Sequence, residues 1–225
     1  MEDSLLHIYP TNDGSLSLHH ASLDETYHSR LGAYKESMHV FVKEGFQRWL
    51  TKNEKNEISI FELGFGTGLN AILTCHESLQ HRLQVNYHGI EKFPVPNKLL
   101  NALNYKELPI ANKEIPELVN AAPWNIWTKL TPNFSLFKQQ ADMLEEQILG
   151  PFDLVYFDAF APSKQPALWT HDILKKLINQ MKTNAMLVSY SAMGQFKRDL
   201  KSLGLEVINP PGALGKREMT VAIKH

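Results

Sequence analysis

Apolar residues recur along this chain with two periods, and the switches between them outline an α/β protein. Residues 1–20 hold two alternating pieces, Leu6-His7-Ile8-Tyr9 and Ser15-Leu16-Ser17-Leu18, around Thr11-Asn12-Asp13-Gly14, whose turn chemistry predicts a hairpin. Over residues 34–50, Met38, Phe41, Val42, Gly45, Phe46 and Trp49 fall at helical spacing and predict an amphipathic helix. Residues 58–63 are β-branched and aromatic, break into glycines at 64, 66 and 68, and give way to helical spacing over 69–79: strand, tight turn, helix. A second strand is predicted over 83–91. Pro94, Pro96, Pro109, Pro116, Pro123 and Pro132 then limit helix to short pieces around 97–103 and 115–121. Strands follow over 134–138, 152–158 and 186–191, separated by a helix over 171–182. A further helix over 193–203 and a last strand pair over 205–208 and 219–223 close the pattern.

The glycine turn carries the strongest chemical signal. Without a Cβ, Gly64, Gly66 and Gly68 can take positive φ and let a ligand lie against the main chain, while the helix beginning near Leu69 offers unpaired N–H groups. The order is G-x-G-x-G rather than the dinucleotide fingerprint G-x-G-x-x-G, and Glu62 stands just before it. This resembles the first motif of class I S-adenosylmethionine-dependent methyltransferases, in which the acidic residue and the glycine backbone hold the amino-acid part of the cofactor. A turn serving only strand-to-helix packing is the competing reading.

Three further carboxylates fall at strand ends. Glu91, one βαβ unit after the turn, can accept two ribose hydroxyls, a role that NAD-binding folds share. Asp142 can accept an adenine amino group or cap a helix. Asp158 ends the buried run Phe152-Asp153-Leu154-Val155-Tyr156-Phe157 and opens the proline-punctuated loop Ala159-Phe160-Ala161-Pro162-Ser163-Lys164-Gln165-Pro166. Ligands of open α/β sheets bind outside the carboxyl ends of the strands, which puts Asp158 beside the cofactor. The polar run Asp24-Glu25-Thr26-Tyr27-His28-Ser29 reads either as a helix cap and loop or as a lid over the site.

Composition narrows the class. The chain has 225 residues, enough for one α/β domain with an extension, and its 43% hydrophobic and 21% charged content is that of a globular protein. Cys75 is the single cysteine, no charged-then-apolar leader opens the chain, and no apolar stretch reaches membrane length, so a cytoplasmic, membrane-free protein is expected. His19-His20 has no acidic or cysteine partner at ligand spacing, so no metal is expected. A net charge of −1 does not announce a nucleic-acid binder; a polyanion would have to meet a local basic patch.

Gly64-Phe65-Gly66-Thr67-Gly68-Leu69-Asn70, Glu91-Lys92-Phe93-Pro94, residues 158–169 and Gly215-Lys216-Arg217-Glu218-Met219, with Tyr27-His28-Ser29 and Glu36, together resemble the methyltransferase domain of the bifunctional tRNA-modification enzyme MnmC and its stand-alone, MnmD-like relatives. Ala141 and Ala159 depart from that pattern, standing where the family commonly has glycine. The resemblance implies a Rossmann-like class I fold, with a mostly parallel seven-stranded sheet and an antiparallel last strand over residues 53–225 and an N-terminal hairpin and helix over 1–52. It also implies S-adenosyl-L-methionine as cofactor, held by Glu62, Gly64, Gly66, Gly68, Asn70, Glu91, Lys92, Asp142 and Asp158. The implied reaction is N-methylation of the 5-aminomethyl group of 5-aminomethyl-(2-thio)uridine at the tRNA wobble position. Its substrate would be the anticodon stem-loop, prepared by an upstream wobble-uridine modifying enzyme because 225 residues leave no room for an FAD oxidase domain.

In that reading Asp158 orients the amine and accepts its proton. Tyr27, Phe160 and Trp169 are candidates for contact with the extruded base, with core packing the competing role for the two aromatics Phe160 and Trp169. Lys164, Lys216 and Arg217 are candidates for phosphate. A small-molecule amine methyltransferase would use the same cofactor site and need no basic patch.

Overall fold

The computed structural model describes residues 5–225. An antiparallel sheet comes first, β1 (Leu6–Pro10), β2 (Leu16–His20) and the two-residue β3 (Glu25–Thr26). A continuous helical stretch follows: α1 (Ala33–Ser37), a π-wound segment Met38–Gln47 and α2 (Arg48–Lys52). Next come β4 (Glu57–Leu63), α3 (Leu69–His81), β5 (Gln84–Glu91), α4 (Asn97–Ala102), α5 (Ile115–Ala121), β6 (Trp127–Thr131) and β7 (Phe134–Gln140). The chain ends with β8 (Phe152–Phe157), α6 (His171–Asn179), β9 (Met181–Ser189), α7 (Gly194–Ser202), β10 (Leu205–Ile208) and β11 (Thr220–Lys224).

The large sheet has the order β10-β11-β9-β8-β4-β5-β7-β6. Strands β9, β8, β4, β5 and β7 are parallel, and β11 runs antiparallel between β9 and β10, as expected for the last strand. The expected count of seven is corrected to eight by β6, which pairs antiparallel with β7 at the sheet's edge. Its sequence lies between Pro123 and Pro132 and no residue of it is buried, so it lacks the apolar run that marks the inner strands.

Apolar side chains alternate between the two faces of the sheet. Ile58 and Ile60 of β4, with Tyr87 and Val188, pack against Phe41, Phe46 and Trp49 of the helical stretch, while Phe61 and Leu63 join Val155, Phe157, Leu174 and Phe196 under α6 and α7. Close approach of the first helix depends on Gly45: a Cβ there would sit 3.1 Å from both the Tyr156 ring and Val188. Helices occupy the crossovers β4→β5, β5→β7 and β8→β9, but residues 141–151, between β7 and β8, make turns only. The sheet face beside that loop is left without a covering helix.

Candidate active site

The chain must reverse at the end of β4 to begin α3, and Gly64 does so with φ 89°, in the left-handed region. Space is as restrictive as conformation there: a Cβ on Gly64 would lie 2.6 Å from the Asp158 carbonyl oxygen. Gly66, at φ 52°, turns its N–H onto Glu91 Oε2 at 3.0 Å, and the Phe93 N–H donates to Glu91 Oε1 at 2.9 Å. Two main-chain donors thus orient one carboxylate at the end of β5. Burial nevertheless pushes Glu91 above the usual carboxylate range.

These groups open onto a cavity of about 600 Å³ at the carboxyl ends of the parallel strands. Of the residues singled out in the sequence, Tyr27, Gly64, Gly66, Asn70, Glu91, Lys92, Asp142, Asp158, Phe160 and Lys164 line it, and Glu62, Gly68, Trp169, Lys216 and Arg217 do not.

Glu62 is 1% exposed, and both its oxygens are engaged: Asn70 Nδ2 donates to Oε1 and the Tyr87 hydroxyl donates to Oε2, each at 2.8 Å. Burial pushes its carboxyl up to about 8. The acid therefore reaches the cavity only through Asn70, whose same Nδ2 donates to Asp158 Oδ2 at 2.8 Å. One carboxamide ties two carboxyl groups together, and Asn70 Oδ1 has no hydrogen-bond partner. Asp158 is pushed well above the ordinary carboxylate range by burial and by the neighbouring Glu62 and Glu36. A carboxylate so placed is a stronger base than one in water.

Asp142 holds Lys92 Nζ at 2.6 Å through Oδ2 and takes the Leu144 N–H through Oδ1 at 2.9 Å, closing a turn at the cavity rim. The hydrogen bond from Lys92 holds its carboxyl low. Across the cavity, Tyr27 and Phe160 meet edge to face with centroids 4.9 Å apart. Trp169 lies in the core: 5% exposed, it packs on Phe157 and Phe196 and donates Nε1 to the Phe160 carbonyl at 2.8 Å, so it fixes the loop from below and offers no platform to a base. Lys216 is paired with Glu36 at 2.6 Å, and Glu36 also accepts the Ser29 N–H at 2.7 Å, linking the loop that carries Tyr27 to the C-terminal loop. Arg217 is exposed.

Several lining residues had no site role assigned from the sequence. His28 is 9% exposed, bonds Ser17 Oγ through Nδ1 at 2.8 Å, and is lowered to about 4 by burial, so it is a neutral imidazole at physiological pH. His20, Phe65, Met143 and Leu144 also line the cavity. Phe65, inside the glycine motif, carried a usable signal: its ring fills the space where Gly89 has no Cβ. His20 comes from a strand outside the large sheet, and nothing in the local sequence points it inward.

The donor set fits an adenosine-bearing sulfonium cofactor. Gly64 and Gly66 line the cavity with bare backbone, packed so closely on Asp158 and Tyr27 that neither has room for a Cβ unless its neighbour gives way, and Glu91 is an oriented acceptor for paired hydroxyls. Among the described residues no cluster of three or more His, Cys, Asp or Glu could hold a metal ion, and no helix is long and apolar enough to cross a membrane.

Comparison with known proteins agrees with this geometry. Residues 133–225 match a family described as S-adenosyl-L-methionine-dependent methyltransferase. Over 208 residues the chain is 31% identical to the tRNA 5-methylaminomethyl-2-thiouridine biosynthesis bifunctional protein MnmC of Leptospira interrogans, covering 88% of this chain and 32% of that protein. The protein of the same name from Ralstonia nicotianae is 29% identical over 216 residues, covering 90% of this chain and 32% of its own length. The chain thus spans about a third of these curated relatives. The crystal structure of MnmC2 from Aquifex aeolicus superposes with a TM-score of 0.79 at 30% identity, covering 96% of this chain and 70% of that one. Spermidine synthase from Thermotoga maritima, at 10% identity and a TM-score of 0.57, shares the fold.

Proposed function

The chain belongs to the S-adenosyl-L-methionine-dependent methyltransferases of the MnmC type, and from that premise we propose that it methylates the 5-aminomethyl group of a wobble uridine in tRNA. The substrate rests on the printed name of the curated relatives, of which the chain spans about a third. The single observation that carries the reading is the placement of Asp158: held by Asn70 and next to Gly64, it lines the same cavity as the Tyr27–Phe160 pair.

An aminomethyl group is an ammonium ion in water and has no free lone pair. Asp158 accepts one N–H proton and leaves the amine nitrogen nucleophilic, and its raised proton affinity suits it to that transfer. S-adenosylmethionine supplies an electrophilic sulfonium methyl when bound. A new N–C bond would replace the S–C bond, and the resulting secondary ammonium would shed its proton to water, or to Asp158 once that carboxyl has passed the first proton to solvent. Glu91 and the Gly64 and Gly66 main chain hold the cofactor, with Lys92, Asp142 and Asn70 at the rim and floor. Tyr27 and Phe160 contact the extruded base, and Lys164 is the phosphate contact within the cavity. The first 52 residues act as an extension that brings Tyr27 to the core domain. An enzyme that installs the aminomethyl group acts upstream, and a tRNA substrate places the protein in the cytoplasm.

The test is incorporation of labelled methyl into bulk tRNA from cells lacking the last methylation, followed by digestion to nucleosides. Label is expected in the 5-methylaminomethyl nucleoside with wild-type protein and absent with Asp158→Ala or Gly66→Asp. Failure to label tRNA by wild-type protein that binds the cofactor would transfer the assignment to a small amine.

A further inference from the structure

The turn-only crossover of residues 141–151 leaves a second cavity of about 540 Å³ on the sheet face, separate from the cofactor cavity. Strand register fixes what it displays. Residues directly opposite across neighbouring strands share a face. Lys129, Ser135, Asn86 and Ser59 are opposite one another through β6, β7, β5 and β4, and form a polar rung. Two residues along, Trp127, Phe137, His88 and Phe61 form a second rung. Its rings are in continuous contact, with centroid separations of 5.3 Å from Trp127 to Phe137, 4.9 Å from Phe137 to His88 and 5.2 Å from His88 to Phe61. The ladder begins in the core at Phe61 and ends at Trp127, which is 52% exposed and stacked on Phe137 at 21°.

Asn86 Nδ2 in the groove donates to Glu57 Oε1 at 2.7 Å and His88 Nε2 is bonded to Gln139 Oε1 at 2.7 Å, which leaves the two serine hydroxyls to a ligand. Neither Ser59 Oγ nor Ser135 Oγ has a hydrogen bond within the described residues, whereas an apolar protein partner would leave both desolvated. Three lysines border it against two carboxylates: Lys55 and Lys182 both pair with the buried Asp153, which also accepts the Ser59 N–H, Glu57 is held by Asn86, and Lys129 is exposed at the other end. Exposed Ile126 and Leu149 extend the apolar rim. Stacked aromatics beside hydrogen-bonding groups and lysines on an open sheet are the means by which single-stranded RNA is held.

We propose that this open face is a second contact surface for the substrate tRNA, on which an unpaired nucleotide away from the methylated one stacks on Trp127 with its phosphate near Lys129. The proposal rests on the tRNA reading of the cofactor cavity. It assigns RNA affinity to a surface outside the cofactor cavity, in a chain whose net charge is −1.

The experiment compares wild type, Trp127→Ala, Trp127→Phe and Lys129→Ala for tRNA Kd, methylation kcat at saturating tRNA, and cofactor binding. A photoreactive benzophenone amino acid at position 127 serves as the direct probe. Loss of one base stack is expected to weaken tRNA binding roughly 5- to 100-fold in Trp127→Ala, with Trp127→Phe restoring most of it and kcat and cofactor binding unchanged. Lys129→Ala is expected to reduce the salt slope of tRNA binding by about 1. Light is expected to join the probe at 127 to tRNA.

Wild-type protein that methylates tRNA while the variants keep its affinity and the probe captures no RNA would overturn this proposal alone. Capture of a second copy of the chain in place of RNA would overturn it as well, making the face a protein interface. Wild-type protein that neither binds nor methylates tRNA would overturn this proposal together with the tRNA assignment of the cofactor cavity.

Discussion

Two regions of one sheet treat their polar groups in opposite ways. At the carboxyl ends of β4, β5 and β8 the carboxyl groups of Glu62, Glu91 and Asp158 are each fixed by a donor: Asn70 and Tyr87, two main-chain N–H groups, and Asn70 again. On the open face of β4, β5, β7 and β6, the Ser59 and Ser135 hydroxyls and the Lys129 ammonium have no such partner among the described residues, and Trp127 projects from the edge strand. Fixed, desolvated carboxylates have raised proton affinity and a set direction, which acid–base chemistry needs. Unpartnered groups on a rigid sheet adapt to a flexible ligand, as docking needs. The same backbone regularity supports both because function was placed at strand ends in one case and along a face in the other.

The sharpest way to break the contrast is at Asp158. Asp158→Asn keeps a polar partner for Asn70 but cannot take a proton, so kcat is expected to fall by roughly 10²–10⁴ while calorimetry shows the cofactor still bound. An unchanged rate would mean that Asp158 only braces Asn70. Next comes Gly64→Ala. Its Cβ would press on the Asp158 carbonyl at 2.6 Å in a left-handed conformation, and a loss of about 1–3 kcal/mol in unfolding stability, with weaker cofactor binding, is expected.

The Glu62 carboxyl makes the contrast measurable by pH. Its ordinary value of 4.5 rises to about 8 in the fold, so the folded protein retains a proton that the unfolded chain releases. The stability associated with that proton is full below about pH 4.5 and is lost as pH rises through about 8, a change of at most a few kcal/mol. Glu62→Gln removes the titration; its melting temperature should fall less than that of wild type between pH 5 and 9. Parallel curves for the two proteins would show that Glu62 is not held protonated.

The smallest effect belongs to the open face. Trp127 is half-exposed on an edge strand, so Trp127→Ala should move unfolding stability by only about 0.5–1 kcal/mol, separating its role in binding from any role in folding. A loss of several kcal/mol would instead make the aromatic ladder a structural element.

Much of this was legible before folding. The glycine turn and the strand ends at Glu91 and Asp158 come from local features, since period-2 apolar runs, glycine spacing and proline breaks act within a few residues, whereas the antiparallel direction of the last strand came from the family resemblance. Other assignments were not local. Trp169 and Phe160 lie in one loop with similar aromatic character, yet one is sealed beneath α6 and α7 and the other faces the cavity. Lys216 reads as a free cation until Glu36, 180 positions away, is seen to hold it. Strand β6 escaped detection because an edge strand buries little and so carries a weak pattern.

The sequence by itself determined the succession of strands and helices apart from the edge strand β6, and the glycine spacing of the cofactor turn, because backbone conformation and apolar periodicity are set by neighbours along the chain. Tertiary structure alone decided that Glu62 serves Asp158 through Asn70 rather than facing the cavity, and that residues of β4, β5, β6 and β7 form one polar and one aromatic rung. Burial, proton affinity and cross-strand register depend on partners that are distant in sequence, and only closure of the sheet brings them together.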